Sequence, residues 1–349
     1  MPAPFRAGDA TLLQIIGTDR PDQMSRGRGK VRISGSTDLH LLLGKSEPHH
    51  RLHVTPNFFR QARRPELASY QCLLNLITEP EWNARVLENL RKLLRDLPGK
   101  VVNRPEAVLR STRDRVARRL AGIDGLLAPR VVRLRADKPG LAAQTIKQAG
   151  LTFPLIVRQA GTHTGRILGV FDGIEDLQVA LAGSEGEHIA IEFVDFRSSD
   201  GLYRKHRVFF IGEHMIFRHM LVSDSWNVHA KDRMRFMADR PDLIDEETRM
   251  FANVEGAFPP NIGQVLEKVR ERMALDFFGM DFGIAADGRV VLFEANATMN
   301  FFPFMADPRF AYVQSCLPAA RRAFRELAGL PPVAPAAPPQ SYADSRNVR

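Results

Sequence analysis

The sequence has 349 residues, enough for two or three compact subdomains, and its 44% hydrophobic and 26% charged content is ordinary for a soluble globular protein. It has no apolar run near the ~18–20 residues that cross a bilayer and no secretory-signal pattern, and its two cysteines supply neither a disulfide framework nor metal-ligand spacing. The formal net charge of +9 favours anionic small molecules or acidic peptides over nucleic acid, because no nucleic-acid motif accompanies it. We therefore expect a cytoplasmic protein without membrane or nucleic-acid partners.

The predicted elements alternate between strands and helices along most of the chain. Short apolar runs predict strands at 11–17, 38–44, 70–77, 100–103, 130–135, 153–158, 166–171, 188–194, 206–211 and 214–220. Helical stripes predict helices at 81–97, 111–120, 141–148 and 262–276. The strand, helix and strand between residues 70 and 103 indicate a βαβ unit in a partly parallel sheet. The Pro- and Ala-rich residues 329–349 predict a disordered tail.

Residues 279–296, GMDFGIAADGRVVLFEAN, form two apolar runs around an Asp-Gly pair that favours a two-residue type I′ hairpin turn. With that turn Asp281 lies directly opposite Glu294, and Asn296 follows on the same face because side chains alternate along a strand. Two facing carboxylates repel each other unless a cation neutralises them, and Asp, Glu and Asn oxygens are the ligands that Mg²⁺ prefers. The hairpin therefore predicts a magnesium site at Asp281, Glu294 and Asn296. The alternative is a solvated sheet face that binds no metal.

Together with three upstream segments, this hairpin resembles the ATP-grasp superfamily, in particular its ribosomal-protein glutamate ligase and glutathione synthetase-like branch. The resemblance covers residues 70–305, and the segments occur in the family's usual order. They are Asn103-Arg104-Pro105 with Arg113-Asp114-Arg115, then FPLIVRQAGTHTG at 153–165, HIAIEFVDF at 188–196 and DFGIAADGRVVLFEANATMNFFP at 281–303. The resemblance implies an α/β (α+β) ATP-grasp fold, in which two α+β subdomains enclose the nucleotide. The implied parts are an N-terminal partly parallel α/β domain at 1–110, a central lid-type subdomain at 111–195 and a C-terminal subdomain at 196–328.

The resemblance also implies where ATP binds. Arg158 ends an apolar strand within reach of the phosphates, and both Arg115 and Arg158 stand where the family usually has lysines. The glycine loop that follows, whose backbone N–H groups can close over phosphate oxygens, comprises Gly161, Thr162, His163, Thr164 and Gly165. The residues that would contact the adenine and ribose are Glu192, Phe193, Val194 and Asp195, with Asp200 as a second ribose candidate. Taken singly, each of these segments also fits an ordinary turn or strand end.

One departure from the family affects the catalytic cation. Related ligases of the D-alanine type carry an arginine two residues before the metal aspartate, where this chain has Gly279. The cation that supports the developing oxyanion must then come from elsewhere. Arg207 and Arg218 match arginines that the family places on neighbouring strands, and they are the predicted catalytic residues.

Other residues of this region are candidates for the acceptor site. Alternation along a strand places Lys205 and Arg207 on one face. His219 and His229 could act as acid–base groups, although a structural role fits each of them as well. Residues 225–227, Ser-Trp-Asn, could line the acceptor pocket.

These features predict an ATP- and Mg²⁺-dependent ligase, with Mn²⁺ as a substitute metal, that forms an amide bond between a carboxylate and an amine through an acyl phosphate. The expected partners are small-molecule or peptide substrates, including acidic ones, and a homo-oligomer is left open. The same site could serve a kinase that phosphorylates a hydroxyl. The two arginines in place of lysines also fit a catalytically degenerate nucleotide-binding module. An amide product, a stable phosphoester or the absence of turnover distinguishes the three.

Overall fold

A computed structural model describes residues 11–20, 22, 24–27, 30–33, 36–44, 47–60, 66–162, 167–252, 256, 258–301 and 307–332. Its strands are β1 (Leu12–Gly17), β2 (Met24–Gly27), β3 (Lys30–Ile33), β4 (His49–Val54), β5 (Cys72–Asn75), β6 (Lys100–Val102), β7 (Leu126–Leu127), β8 (Val131–Arg135), β9 (Leu155–Gln159), β10 (Gly169–Phe171), β11 (Glu187–Glu192), β12 (Tyr203–Ile211), β13 (His214–Ser223), β14 (Phe277–Ile284) and β15 (Val290–Asn296). Its α-helices are α1 (His40–Leu43), α2 (Ala84–Leu93), α3 (Pro105–Val108), α4 (Arg113–Leu120), α5 (Ala142–Gln148), α6 (Ile174–Ala182), α7 (Pro241–Ala252), α8 (Pro260–Met273) and α9 (Cys316–Ala328). None of the helices within these ranges is long and apolar enough to cross a bilayer.

Four parallel strands form the first sheet, in the order β4-β1-β5-β6. Strands β1 and β5 are buried on both faces, which is why they appear in the sequence as continuous apolar runs. Helix α2 connects β5 to β6 and buries Val86, Leu87 and Leu90 in the same core as Leu73 of β5. The predicted βαβ unit between residues 70 and 103 is therefore present.

Four antiparallel strands form the second sheet, in the order β10-β9-β11-β8. Apolar residues of α5 and α6 pack against Leu155 and Val157 of β9 and cover one face of this sheet. Because side chains alternate along a strand, Ile156 and Arg158 of β9 lie on the opposite face. That face borders the cavity described below.

The third sheet has the order β13-β12-β14-β15-β7 and is antiparallel except for the short pair of β15 with β7. Alternation on β12 places Val208 in one core with residues of α8 and Phe209 in another core with residues of α9. On the face of Phe209, the two preceding residues of β12 are Arg207 and Lys205. Apolar packing thus gives way to charged side chains at the start of this strand.

Three segments depart from the predicted elements or add to them. Residues 38–44, predicted as a strand, contain helix α1, because the buried Leu42 and Leu43 pack with residues of α9 and the run is too short for periodicity to decide. Strands β2 and β3 pair within a polar stretch that lacks an apolar strand signal. Of the predicted tail, residues 329–332 follow α9 with Leu330 buried, and residues 333–349 lie outside the described ranges. The three predicted domain boundaries stay a prediction.

Candidate active site

A cavity of about 660 Å³ lies between the second and third sheets. This volume falls in the range of ~300–1,000 Å³ that is usual for small-molecule sites. The predicted site residues that line it are Arg158, Glu192, Phe193, Val194, Arg207, Arg218, Asp281 and Glu294. The fold therefore gathers residues from distant parts of the sequence around one cavity.

The hairpin of β14 and β15 pairs Asp281 with Glu294, as the sequence predicts. Its turn is longer than the predicted two-residue type, and Gly288 in it takes a left-handed φ of 81°. The longer turn shifts the neighbouring pairs by one residue, and a β-bulge at Phe293 shifts the register back. Because these two deviations cancel, the carboxylates face each other although the predicted turn type is wrong.

Arg207 of β12 lies directly opposite Asp281 and neutralises it. Its Nε and Nη2 donate hydrogen bonds of 2.5 Å and 2.7 Å to the two carboxylate oxygens of Asp281. The Nζ of Lys205 lies 3.9 Å from the same carboxylate. Burial opposes the charge of Arg207, but the Asp281 carboxylate outweighs burial and raises the pKa of the guanidinium. Asp281 and Arg207 thus form a buried bidentate ion pair in the cavity wall.

Glu294 is neutralised from the other side of the hairpin. The Nη2 of Arg113 lies 2.7 Å from Glu294 Oε1, and the side-chain amide of Asn296 donates a hydrogen bond of 2.8 Å to the same oxygen. The side-chain oxygen of Asn296 accepts from the backbone N–H groups of Thr298 and Met299 at 2.9 Å and 3.0 Å. Asn296 therefore orients Glu294 and fixes the chain that follows β15.

The oxygen donors of Asp281, Glu294 and Asn296 suit Mg²⁺, and their pairing and hydrogen bonds bring them together. Two arginines supply neutralisation that the sequence suggested a metal would supply. Within the described ranges, no three His, Cys, Asp or Glu side chains are grouped so that they could hold a metal. The set thus fits Mg²⁺ when nucleotide phosphates provide further ligands, as they commonly do, and the metal role of the three residues stays a prediction.

Arg158, near the end of β9, is a half-buried cation whose described hydrogen bonds reach no carboxylate. Its Nη2 donates a hydrogen bond of 2.5 Å to the carbonyl oxygen of Thr162, and its Nε has no hydrogen-bond partner among the residues that the structure describes. Burial, and then repulsion from Arg113, lower the pKa of Arg158 to about 10. A bound polyanion would relieve this cost, so the position suits nucleotide phosphates.

The loop after β9 begins at Gly161. Its φ of +72° is left-handed, and a Cβ at this position would lie 2.6 Å from Nε1 of Trp82, so the backbone requires glycine here. Thr162 follows it and bonds to Arg158. The remaining residues of the predicted phosphate loop lie outside the described ranges, and their role stays a prediction: His163, Thr164 and Gly165.

The predicted adenine contacts lie along one edge of the cavity. Arg130 holds the Glu192 carboxylate with two hydrogen bonds of 2.9 Å and 2.7 Å, so this side chain is fixed by an arginine. The ring of Phe193 packs edge-on against Trp226, with 5.5 Å between the ring centroids. Val194 completes this edge. The backbone and rings here can accommodate a flat aromatic base, and their adenine role stays a prediction.

The two ribose candidates lie elsewhere. Asp195 is exposed, accepts a hydrogen bond of 3.0 Å from the backbone N–H of Arg197 and does not line the cavity. Asp200 accepts two hydrogen bonds from Arg204, which help to lower the pKa of Asp200 to about 2, and it does not line the cavity either. Each of the two carboxylates already has an arginine partner close by in the chain, so neither needs a ribose to explain its position.

Helix α4 places Arg113, rather than Arg115, in the site. Arg113 lines the cavity, whereas Arg115 is exposed and donates a hydrogen bond of 2.6 Å to the Leu109 carbonyl oxygen. Residues two apart on a helix point in roughly opposite directions, so the two arginines cannot share one face. A sequence signal for this choice exists, since Arg113 lies on the same helical stripe as the buried Val116 and Leu120.

Replacing Arg113 with Met is expected to weaken ATP binding ~10-fold or more, because it removes a cation from the cavity and leaves Glu294 without its ion pair. Arg115→Met removes the same charge from the exposed side of the same helix and should change the affinity less than ~2-fold. Calorimetric titration of both variants with ATP measures the difference. A larger loss of ATP affinity in the Arg115 variant would show that Arg115, as the resemblance implies, is the arginine that binds the nucleotide.

A β-bulge between β12 and β13 explains how two consecutive residues enter the cavity. Arg207 pairs with His219 and Val208 pairs with Phe217, so Arg218 is the extra residue of the bulge. Strict alternation would put Arg218 and His219 on opposite faces, whereas both line the cavity. The guanidinium of Arg218 lies 5.9 Å from the ring centroid of Phe301. Sequence alternation alone could not place this pair.

Burial and the surrounding charges set the protonation of these groups. Burial, and then the cations Arg207 and Arg218, lower the pKa of His219 well below 6.5, so its imidazole is neutral at pH 7. Burial also lowers the pKa of Arg218, and the nearby Arg233 and Arg207 add to the effect. Trp226, Asn227 and His229 line the same part of the cavity. This part of the cavity is rich in cations.

Gly279 occupies the position where related ligases carry an arginine. A Cβ at Gly279 would lie 2.6 Å from Sδ and 2.8 Å from Cβ of Met299. Met299 packs in the core with Phe209 and Phe301, so the space of a longer side chain is filled. A cation close to Asp281 therefore comes from another strand, as Arg207 of β12 does.

Sequence reasoning missed a buried ion pair below the cavity. Arg233, in a short π-helix, donates hydrogen bonds of 2.6 Å and 2.7 Å to the carboxylate of Glu247 on α7. Tyr312 donates a third hydrogen bond of 2.5 Å to Glu247, and the backbone N–H of Met220 on β13 donates a fourth of 2.9 Å. Arg233 lines the cavity, and Glu247 is fully buried. A non-local pair of this kind leaves no periodic signal.

Replacing Glu247 with Gln is expected to lower the free energy of unfolding by roughly 3–5 kcal/mol, because Arg233 would keep a buried charge without its counter-ion. Its neighbour Glu246, which pairs with the partly exposed Arg204, provides the control, and Glu246→Gln should cost less than ~1 kcal/mol. Urea denaturation followed by circular dichroism measures both. Equal losses of unfolding free energy in the two variants would mean that the buried pair of Arg233 and Glu247 stabilises the fold no more than the exposed pair does.

No protein-family model and no curated protein matches the sequence. Solved structures do match. N5-carboxyaminoimidazole synthase from Aspergillus clavatus, in complex with ADP and 5-aminoimidazole ribonucleotide, is 12% identical with a TM-score of 0.51, over 92% of this chain and 78% of that chain. VanG D-Ala:D-Ser ligase from Enterococcus faecalis is 14% identical with a TM-score of 0.48, over 90% of this chain and 99% of that chain. The RimK domain ATP-grasp protein from Sphaerobacter thermophilus is 13% identical with a TM-score of 0.47, over 91% of this chain and 99% of that chain.

At these identities the likeness concerns the fold. The chain has the ATP-grasp fold, with the mixed parallel and antiparallel α/β architecture that the sequence predicts. The resemblance drawn from four sequence segments is thereby confirmed at the level of the fold.

Proposed function

We propose that the protein is an ATP-dependent ligase that joins a carboxylate to an amine through an acyl phosphate and releases ADP and phosphate. The observation that carries this proposal is the single cavity in which Arg158, the facing pair Asp281 and Glu294, and the arginines Arg207 and Arg218 meet. Phosphoryl transfer asks a protein mainly to position its reactants and to stabilise charge, and this set can do both. N5-carboxyaminoimidazole synthase from Aspergillus clavatus, which shares the fold, has been solved in complex with ADP.

In this proposal the second sheet binds the nucleotide. The base lies along the edge formed by Phe193 and Val194, next to Ile156 of β9. The phosphates point toward Arg158 and Arg113, whose guanidinium groups can each form two hydrogen bonds to phosphate oxygens. Arg113 would have to share its charge between Glu294 and the phosphates.

The carboxylates of Asp281 and Glu294 would hold Mg²⁺, with Asn296 beside them, and Mn²⁺ could replace it. Bound there with the nucleotide, the metal would neutralise the charge that develops on the transferred phosphoryl group. Arg207 and Arg113 pair with the two carboxylates and orient them. The acids are therefore preorganised before the nucleotide arrives.

The third sheet supports the second half of the reaction. The amine, after losing a proton, attacks the acyl carbon, and the bond from that carbon to the phosphate oxygen breaks. Negative charge develops on the former carbonyl oxygen at this stage, and a fixed cation lowers the barrier. Arg207 is held by Asp281, and Arg218 is held in the bulge of β13, so both are rigid candidates for this role.

Purified protein incubated with ATP, Mg²⁺, a panel of amino acids and carboxylic acids, and amines tests the proposal. We expect ADP release that requires both a carboxylate and an amine, and mass spectrometry should show a product lighter than the two substrates by one water. A stable phosphoester would identify a kinase. ATP binding without release of ADP under any condition would identify a nucleotide-binding module and contradict the proposal.

The finer expectations on partners and location form part of the same proposal. The substrates are a small-molecule or peptide carboxylate and an amine, and the location is cytoplasmic. Both cysteines, Cys72 and Cys316, are free and buried, which is compatible with a reducing compartment.

A further inference from the structure

Arg133 joins three carboxylates from separate parts of the chain. It lies on β8, the edge strand of the second sheet. Its Nη2 donates hydrogen bonds of 2.6 Å to Glu81 and to Asp114, and its Nη1 donates one of 2.6 Å to Glu187. Glu187 belongs to β11 of the same sheet, whereas Glu81 lies in the connection from β5 to α2 and Asp114 lies on α4. Two of the three carboxylates therefore tie the second sheet to other parts of the protein.

These two ion pairs are short and partly shielded from water. The side chains of Arg133, Glu81 and Asp114 are 28%, 19% and 5% exposed, whereas that of Glu187 is 44% exposed. A second hydrogen bond of 3.2 Å from Arg133 Nη1 makes the contact with Glu81 bidentate, which fixes the plane of the guanidinium. Burial alone would raise the pKa of Asp114, but the hydrogen bonds from Arg133 and Thr112 lower it to about 2. Asp114 is therefore ionised at neutral pH.

The second sheet has a hydrophobic core of its own. Leu155 and Val157 of β9 pack with residues of α5 and α6 in a cluster separate from the cores of the other two sheets. On its opposite face, the buried apolar cluster that joins this sheet to α4 is small and contains Ala117, Val131 and Ile189. Bodies with separate cores and a small interface can move relative to each other. A few charged contacts can therefore decide how firmly the second sheet is held.

Arg133 and Arg158 lie in one row across the second sheet. Both residues pair with Ile189 of β11, one from each side. Because neighbouring strands are 4.7–4.9 Å apart, the Cα atoms of the two arginines are separated by roughly 10 Å. Directly paired residues also lie on the same face of a sheet. An ion pair that fixes Arg133 therefore also fixes the part of the sheet that carries Arg158.

A second contact to the same sheet lies next to Glu81. The backbone of Gly161 packs against Trp82 so closely that a Cβ at Gly161 would lie 2.6 Å from Nε1 of Trp82 and 2.9 Å from Cβ of Glu81. A small cavity of about 50 Å³ adjoins this contact, and its lining includes Glu81, Thr162, Arg113, Glu294 and Asn296. The connection from β5 to α2 thus touches the second sheet beside the proposed phosphate contacts and metal ligands.

We propose that Arg133, Glu81 and Asp114 form a latch that holds the second sheet against the rest of the protein while a nucleotide is bound, and that Glu81 thereby positions Arg158 toward the phosphates. The inference rests on the proposed function for the place of the nucleotide between the second and third sheets. A nucleotide held between two sheets leaves when they separate, so the strength of the latch sets its residence time. Glu81 is a positioning residue, because it acts through Arg133.

The rate of nucleotide dissociation tests the latch without requiring turnover. A fluorescent ATP analogue, bound to the full chain with Mg²⁺, is displaced by excess ATP in a stopped-flow instrument. Glu81→Gln weakens the ion pair and should raise the dissociation rate ~3–10-fold, because the open arrangement becomes more populated, while the association rate changes less than ~2-fold. Glu81→Asp keeps the charge and should give an intermediate rate. An unchanged dissociation rate in Glu81→Gln overturns the proposal.

Glu187→Gln is the matched control. It removes the same charge and a hydrogen-bond partner of the same arginine, but Glu187 lies within the second sheet. The dissociation rate should therefore change less than ~2-fold. Equal acceleration in both variants would assign the effect to the orientation of Arg133 alone and contradict the latch. Thermal unfolding of each variant adds a second readout, because a purely structural role of Glu81 would lower its unfolding temperature without changing the dissociation rate.

The parallel measurement of ADP release separates this inference from the ligase function. Faster dissociation in Glu81→Gln, without ADP release from any mixture of carboxylate and amine, would contradict the ligase function and support the latch. ADP release by the unmodified protein, with equal dissociation rates in Glu81→Gln, would support the ligase function and contradict the latch. Failure of the unmodified protein to bind the analogue would contradict both.

Discussion

Replacing Glu294 with Gln is expected to reduce the rate of ADP release ~1,000-fold or more while the fold remains intact. The isosteric amide removes one of two facing carboxylates that would hold Mg²⁺, and the metal supplies several kcal/mol of charge stabilisation in phosphoryl transfer. Glu294 is partly accessible, and so is its partner Arg113, so water can compensate the loss of this ion pair. ADP release and urea denaturation, measured on the same preparation, test the two halves of this expectation.

Asp281, which faces Glu294 across the hairpin, should affect stability as well as activity. Asp281→Asn is expected to lose activity to the same degree and also ~3–5 kcal/mol of unfolding free energy, because Asp281 is buried and the change leaves the largely buried Arg207 with an uncharged partner. Asp287→Asn, in the exposed turn of the same hairpin, is the control and should change neither quantity appreciably. Binding of Mn²⁺ with ATP, followed by electron paramagnetic resonance, should weaken in both site variants. Activity within tenfold of the unmodified protein in Glu294→Gln would exclude this carboxylate from the metal site.

Replacing Arg158 with Met is expected to weaken ATP binding ~100-fold without lowering stability. The side chain is half-buried, and its described hydrogen bonds reach Thr162 and no carboxylate. Burial and repulsion by Arg113 oppose its charge more strongly than Glu294 supports it. Removing it therefore relieves a desolvation cost in the free protein and removes a charge-assisted contact in the complex. Opposite effects on stability and on binding are typical of a residue that is retained for its ligand.

The substitution Arg158→Lys serves as the matched test of this residue. It keeps the charge and introduces the side chain that the ATP-grasp family usually carries, so ATP affinity should fall less than ~10-fold. Calorimetric titration with ATP gives the affinities, and thermal unfolding without ATP gives the stabilities. Loss of stability in Arg158→Met, with unchanged affinity for ATP, would assign Arg158 a purely structural role.

How far the sequence predicts this molecule depends on the kind of signal. Alternation and helical stripes depend only on residues close in the chain, and they correctly predict the βαβ unit, most strands and helix α8. The pairing of Asp281 with Glu294 is correct for a partly wrong reason, since a longer turn and a bulge at Phe293 offset each other. No local rule could have given this cancellation, because the bulge is fixed by packing in the folded sheet.

The placement of the other site residues depends on contacts between segments that are distant in the sequence. The choice between Arg113 and Arg115 depends on the rotation of α4 against the rest of the protein, and the buried stripe of that helix holds the information. Arg218 and His219 enter the cavity together only because of a bulge, which interrupts alternation. The pair of Arg233 with Glu247 joins a π-helix to α7 through the interior, and neither residue has a recognisable motif around it.

The bulge at Phe293 affects which insertions the hairpin can tolerate. A strand that slips by one residue turns every side chain to the other face. If the register of the whole hairpin followed the length of its turn, an insertion near Gly288 would turn Glu294 away from Asp281. The bulge lies between that turn and the carboxylates and can absorb such a slip before it reaches them. The tip of the hairpin is therefore a place where length variation, an epitope or a fluorescent label should be tolerated, at a distance from the chemistry.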